Sequence, residues 1–278
     1  MIKETRKFRI GETFEVGGRE QFFLIAGPCV IESLDHMLYT AEKIKTITDK
    51  LGLNYIFKSS YDKANRSSVE SYRGPGPEKG LEMLKKLKDK TGIPVLSDVH
   101  GMEQIAPAAD VLDVIQIPAF LCRQTDLLLE AGKSGKVVNV KKGQFLSPWD
   151  AENIVNKIES TGNNKIILTE RGSSFGYNHL VVDMKSLPVM RDFGCPVVFD
   201  VTHSVQLPGG QGKSSGGLGR FIEDLARGGV AVGVDGIFLE VHECPEKALC
   251  DGPNSLPLEK LESLLSMLKE IDSIVKNI

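Results

Sequence analysis

An eightfold alternation limits what this chain can fold into more than any other feature of its sequence. Short apolar runs at 22–26, 53–57, 94–96, 114–117, 137–140, 166–168, 197–199 and 237–239 each end in a polar or glycine-bearing turn, and an amphipathic stretch follows. Uninterrupted apolar runs of this length read as strands buried on both faces, the pattern of a parallel sheet covered by helices. The first helical stretch puts Leu34, Met37, Leu38, Ala41, Ile44, Thr48 and Leu51 on one face, with Ser33 at the N-cap position. The last follows Pro257 and lines up Leu258, Leu261, Leu264, Leu265, Leu268, Ile271 and Val275. Eight such repeats between residues 21 and 278 predict an α/β fold, a (β/α)8 TIM barrel. A doubly wound open sheet is the competing architecture, because strand count alone does not fix closure.

Ahead of the barrel, residues 1–20 hold two short alternating pieces, around 8–10 and 13–16, joined at Gly11-Glu12, which predict a small β-hairpin. No linker or low-complexity segment divides residues 1–278, so one domain is expected. A net charge of −3 gives no general field for nucleic acid or acidic membranes, so any cations that matter must be local. No apolar run approaches a membrane span, and the first residues lack the apolar region of a signal peptide. The five cysteines are scattered and never form C-x-x-C, which argues against a disulfide framework and for a reducing cytoplasm.

In a barrel the chemistry sits where the strands end. Those ends are Cys29, Lys58, Asp98, Gln116, Lys141, Glu170-Arg171, Asp200 with His203, and Glu240, nearly all of them chemically capable groups. The richest stretch is 57–68, Phe-Lys-Ser-Ser-Tyr-Asp-Lys-Ala-Asn-Arg-Ser-Ser. Ser67 and Glu70 have capping-box spacing, which predicts a helical turn starting there, and Arg66 beside a helix start would hold phosphate. Lys58, Lys63, Arg66, Lys141 and Arg171, joined by Arg123, exceed what one phosphate needs and point to two anionic groups meeting.

A second subset, Cys29, His203, Glu240 and Asp251, offers ligands for a divalent transition metal, though the spacing matches no local metal motif. Each also has an ordinary reading. Cys29 suits a buried apolar site, His203 a phosphate or general-acid contact, and Glu240 and Asp251 salt bridges. Residues 207–219 form a glycine-rich loop that would lie over the active face. Its Gly210-Gln-Gly-Lys-Ser piece is no P-loop, because Leu207 stands where the first glycine is required.

Several long motifs carry a resemblance. Ile25-Ala-Gly-Pro-Cys-Val-Ile-Glu-Ser33, the 57–68 stretch, Ile117-Pro-Ala-Phe-Leu-Cys-Arg-Gln-Thr125, Asn139-Val-Lys-Lys-Gly143, Thr169-Glu-Arg-Gly-Ser-Ser-Phe-Gly-Tyr177 and Asp200-Val-Thr-His-Ser-Val-Gln-Leu-Pro-Gly209 resemble the 3-deoxy-D-manno-octulosonate 8-phosphate (KDO8P) synthases. That resemblance covers nearly the whole chain. It implies condensation of phosphoenolpyruvate with D-arabinose 5-phosphate and water, with release of phosphate, on the route to lipopolysaccharide.

The resemblance further implies that Lys58, Lys63, Gln116, Lys141 and Arg171 surround phosphoenolpyruvate. Asn65, Arg66 and Ser67 would hold arabinose 5-phosphate, with Arg123 reaching in from the neighbour in a homotetramer. Catalysis would fall to Lys58, Lys63, Lys141, His203 and Asp251. The family has a metal-carrying branch with cysteine at the Cys29 position and a metal-free branch with asparagine there. Cys29 implies Zn²⁺, Fe²⁺ or Mn²⁺ at Cys29, His203, Glu240 and Asp251 and no organic cofactor, whereas Cys250-Asp251-Gly252 is more similar to the metal-free branch. Two rivals are the related synthase that uses erythrose 4-phosphate, whose motif lacks the equivalent of Asn65, and a non-catalytic sugar-phosphate sensor on the same barrel.

Overall fold

The N-terminal residues pair with themselves before the barrel begins. In the computed structural model, which describes residues 2–66, 68–208 and 216–277, β1 (Thr5–Ile10) runs antiparallel to β2 (Phe14–Gly18), with Ile10 opposite Phe14. The predicted runs then become strands β3 (Phe23–Gly27), β4 (Tyr55–Lys58), β5 (Val95–Asp98), β6 (Val114–Ile117), β7 (Val137–Lys141) and β8 (Ile166–Glu170). A small ribbon, β9 (Ser173–Ser174) with β10 (Leu180–Val181), precedes β11 (Val197–Asp200). Another, β12 (Gln206–Leu207) with β13 (Gly216–Gly217), flanks residues 209–215 and precedes β14 (Gly236–His242) and β15 (Leu256–Pro257).

Parallel pairing runs β3-β4-β5-β6-β7-β8-β11-β14, and β14 pairs back onto β3, so the sheet closes with eight strands. Closure excludes the open sheet. The glycine-rich loop expected over the active face lies largely outside the described residues.

The helices between and after the strands are α1 (Leu34–Leu51), α2 (Pro77–Thr91), α3 (Ile105–Val111), α4 (Thr125–Lys133), α5 (Ala151–Glu159), α6 (Ser186–Arg191), α7 (Val201–Ser204), α8 (Ile222–Val232) and α9 (Leu258–Lys276). Ser33 caps α1 as its sequence predicts: its hydroxyl accepts the His36 N–H at 3.1 Å, an interaction worth about 1 kcal/mol. Gly52 ends the helix in the left-handed conformation. None of the described helices is long and apolar enough to cross a membrane.

Strand alternation sorts the core into two layers. Phe23, Ile25, Ile56, Leu96, Val114, Val137, Ile167, Val198 and Phe238 fill the barrel interior, and Ile10 and Val16 of the hairpin plug its amino-terminal end. The intervening residues, Leu24, Ala26 and Phe57 among them, pack outward against the helices. Gly27 ends β3 at φ +155°, where a Cβ would lie 2.1 Å from the Lys58 carbonyl oxygen. Only glycine lets the first two strand ends approach this closely.

The helical turn expected at Ser67 does not extend into a helix among the described residues. Ser67 itself lies outside the described residues, 68–71 form bends and turns, and the next helix starts at Pro77. The local spacing is overruled by tertiary ties: Arg73 makes a two-pronged pair with Asp62, and Lys63 N–H donates to the Arg73 carbonyl at 2.7 Å. Gly76, at φ +85°, and Pro77 then set the helix start later.

Candidate active site

Four elements deliver cations to one cavity at the carboxyl end of the barrel. Lys58 ends β4, Lys141 ends β7, Arg171 follows β8, and Lys63 and Arg66 come from the loop after β4. All five line a cavity of about 470 Å³, together with Asn65, Gln116, Asp98, Asp200, His203 and Asp251. That size suits small phosphorylated substrates.

Lys58 is buried and donates to the Cys29 carbonyl at 3.2 Å and to Ser60 Oγ at 3.0 Å. Its Nζ lies 3.7 Å from Glu240 Oε1, and Lys63 Nζ lies 3.8 Å from the same oxygen. Burial opposes the Lys63 charge, but the acidic groups around it, the Glu240 carboxylate among them, hold its pKa above the ordinary lysine value. Lys141 donates to Asp200 and sits 3.2 Å from the centre of the Phe238 ring. Burial brings its pKa down to about 8 against the opposing pull of Asp200. Arg171 is buried too, reaches Gln206 at 3.1 Å and keeps Nη1 without a partner, a donor aimed where an anion would sit. Gln116 accepts from Asn139 at 3.0 Å, which fixes its orientation at the cavity wall.

The second subset converges on Asp251. Its Oδ2 accepts from Cys29 Sγ at 3.4 Å, and its Oδ1 lies 3.9 Å from Arg66. Donor atoms of Cys29, Cys250 and Asp251 lie within 4.8 Å of one another, as do those of His203, Glu240 and Asp251. His203 Nδ1 is 2.7 Å from Asp200, and Nε2 faces Glu240 at 3.5 Å.

Both carboxylate oxygens of Glu240 are buried without a hydrogen-bond partner. The two triads share Asp251, and their thiol, imidazole and carboxylate groups are donor types that suit a divalent transition metal. Burial pushes the Cys29 thiol pKa well up, so by itself this sulfur stays protonated and thiolate character would need a cation.

Among the predicted residues, Cys29 and Glu240 are not part of the cavity lining but touch it through Asp251 and Lys63, whereas Arg123 is exposed on its own chain, with its carbonyl accepting from Lys157. Ser67 lies outside the described residues. Three groups had no role assigned from sequence. Asp98, tied to Ser60 and to His100 at 3.0 Å, lines the wall. Phe238 lies beneath two lysines, Lys141 and Lys58. Cys250 accepts from Arg66 Nη1 at 2.8 Å. Phe238 was findable, since it precedes Glu240 by two residues and so faces the same interior.

Against this geometry, residues 4–277 match the family model described as "DAHP synthetase I family". The chain belongs to the DAHP synthetase I family. Among curated members, it is 62% identical over 272 residues to the 2-dehydro-3-deoxyphosphooctonate aldolase of Trichlorobacter lovleyi, covering 98% of this chain and 100% of that protein. The protein of the same name from Geobacter metallireducens is 63% identical with the same coverage. That of Geotalea uraniireducens is 63% identical over 276 residues, 99% of this chain and 100% of the relative. Family membership accounts for the barrel and for the cation-lined mouth.

Proposed function

We propose that this chain condenses phosphoenolpyruvate with D-arabinose 5-phosphate and water to give 3-deoxy-D-manno-octulosonate 8-phosphate and inorganic phosphate, in lipopolysaccharide synthesis. The observation that carries this reading is the convergence of Lys58, Lys63, Arg66, Lys141 and Arg171 on one cavity. Two phosphorylated substrates repel each other, and fixed cations hold them in contact geometry. The name of those relatives, 2-dehydro-3-deoxyphosphooctonate aldolase, describes the same product.

Lys58, Lys63, Gln116, Lys141 and Arg171 take phosphoenolpyruvate, while Asn65, Arg66 and Ser67 take the pentose phosphate. The C3 carbon of the enol attacks the aldehyde carbon, leaving cationic character at C2 and negative charge on the aldehyde oxygen. Lys63, whose ammonium is held charged, donates a hydrogen bond to that oxygen as charge develops. Water adds at C2 and loses one proton to Asp251, while the aldehyde oxygen takes one from Lys63, so the charge of the step balances. Burial works to raise the Asp251 pKa, but Lys63 and His203 outweigh it, so its carboxylate is ready to accept. The tetrahedral hemiketal phosphate then collapses with C–O cleavage. Cys29, His203, Glu240 and Asp251 would hold a divalent Zn²⁺, Fe²⁺ or Mn²⁺ ion, which when bound supplies Lewis acidity towards the aldehyde or the water.

The active unit is a cytoplasmic homotetramer in which Arg123 of one chain reaches the sugar phosphate of the next. Exposed aromatics on the same end of the barrel, Phe120, Phe145, Trp149 and Phe175, support such an assembly. The competing acceptor, erythrose 4-phosphate, is disfavoured by Asn65 on the cavity wall.

Phosphate release from the two substrates, measured before and after exhaustive chelation and again with metals restored, tests the proposal. Release that is lost and recovered supports reaction and metal together. Release indifferent to chelation keeps the reaction and removes the metal from it, and no release with either pentose or tetrose phosphate overturns the assignment.

A further inference from the structure

Beside the cavity, a second cluster of titratable side chains joins the first barrel loop to the last. Glu32, three residues after Cys29, accepts the Leu249 N–H on Oε1 at 3.0 Å, and His242 Nε2 lies 3.5 Å from the same oxygen. Its Oε2 lies 4.0 Å from His36 Nδ1, and His36 Nε2 pairs with Glu243 at 2.7 Å. The donor atoms of Glu32, His36 and His242 fall within 4.8 Å of one another, a spacing open to a cation.

The hydrogen bonding argues against one. Cys244 N–H donates to His242 Nδ1 at 3.0 Å, so the neutral ring carries its hydrogen on Nε2. It thus points a donor at Glu32 where a metal would require a lone pair.

What the cluster holds is the segment that delivers Asp251. After β14 the chain leaves the barrel at Glu243 and returns as β15, which pairs with the end of β14. Among the described residues Asp251 is the one non-glycine at positive φ, +50°. A residue with a side chain keeps that conformation only where its surroundings over-determine it. Downstream, the Asp251 carbonyl accepts from Asn254 and Ser255 at 3.0 and 3.1 Å. Upstream there are two ties: the Glu32 contact to Leu249, two residues before it, and Cys250, whose sulfur accepts from Arg66 at 2.8 Å.

We infer that Glu32 is a positioning residue: through the Leu249 N–H it holds Asp251 in its left-handed conformation beside Cys29 and Arg66. Its consequence for turnover rests on the proposed reaction; its consequence for the backbone does not.

Hydrogen exchange and steady-state kinetics on the full chain separate the two. In Glu32→Ala, amide exchange in 245–251 should quicken about tenfold or more while α9 keeps wild-type protection. The variant's kcat should fall about tenfold, with KM for phosphoenolpyruvate changed less than about twofold, because the cations that hold it are untouched. Cobalt(II) titration should give a weaker thiolate charge-transfer band than in the wild type. Glu32→Gln keeps an acceptor for Leu249 and should restore exchange, kcat and the cobalt band.

Wild-type exchange at 245–251 in Glu32→Ala, or acceleration spread equally into α9, overturns the proposal. So does a cobalt equivalent bound by the wild type and lost in His36→Ala, since the cluster would then be a metal site. If Glu32→Ala does not fold, His242→Ala, which removes the ring orienting Glu32, is judged by the same readings. A wild-type chain that releases no phosphate sinks the reaction, while exchange still decides the positioning.

Discussion

Lys141 carries its ammonium group in a buried site between Asp200 and the face of Phe238, and burial brings its pKa to about 8. Below that pH the free enzyme presents a cation to phosphoenolpyruvate; above it the cation is lost. The expected outcome is an alkaline limb near pH 8 in kcat/KM for phosphoenolpyruvate, which reports the free enzyme. The limb should be absent in Lys141→Met, whose activity should be down about 10²–10³-fold. A Lys141→Met profile that retains the limb assigns it to another group. For stability the sign is opposite to that of a paired lysine. Between about 8 and the ordinary 10.5 the unfolded chain holds the proton that the folded chain has released, so this group's contribution improves as pH rises. At the cavity rim, Asn65→Ala should raise KM for arabinose 5-phosphate about tenfold, the worth of one hydrogen bond, with a smaller effect on phosphoenolpyruvate. Equal losses for both substrates would remove Asn65 from the pentose site. Lys58, Lys141 and Glu240 were legible because each closes an apolar run. Glu32 was not, since nothing in its local sequence announces a contact with Leu249, more than two hundred residues away.

At the scale of elements the barrel separates stability from chemistry by its two ends. The β1–β2 hairpin was legible from alternation about a Gly-Glu turn, but its role as a plug was not. That role depends on Ile10 and Val16 meeting Phe23 and Val198 inside the barrel, a long-range contact. Ile10 is wholly buried, and Ile10→Ala should cost about 2–5 kcal/mol by opening a cavity in that layer. Urea unfolding should show a lower midpoint at unchanged slope, with KM for both substrates unaltered. A shift in either KM would mean that the plug reaches the site. The turn expected at Ser67 does not grow into a helix among the described residues, for a related reason. Capping-box spacing is local, and here the Arg73–Asp62 pair and the Gly76-Pro77 start imposed a loop instead. That loop is what carries Lys63, Asn65 and Arg66 over the cavity.

For the whole molecule, the placement of apolar surface and of Arg123 can be tested together against the proposed assembly. Phe120 follows β6, Phe145 and Trp149 follow β7, and Phe175 follows β8, so four exposed aromatics project from loops at the carboxyl end of the barrel, where the cavity opens. Arg123 lies in the same region but does not line its own chain's cavity. If a second copy covers this surface and brings its Arg123 to the pentose phosphate, assembly and affinity must change together. Trp149→Glu should lower the mass in sedimentation below that of four chains and raise KM for arabinose 5-phosphate about tenfold, leaving phosphoenolpyruvate less affected. Arg123→Ala should reproduce the change in KM at unchanged mass, because it removes the charge and leaves the apolar contact. Mixing Arg123→Ala with Asn65→Ala chains, which keep both Trp149 and Arg123, gives the decisive arm: an Arg123→Ala chain assembled beside a chain with intact Arg123 should regain pentose affinity at the shared sites. If Arg123→Ala alone binds the pentose phosphate normally, each cavity is complete within one chain and the exposed aromatics serve assembly only.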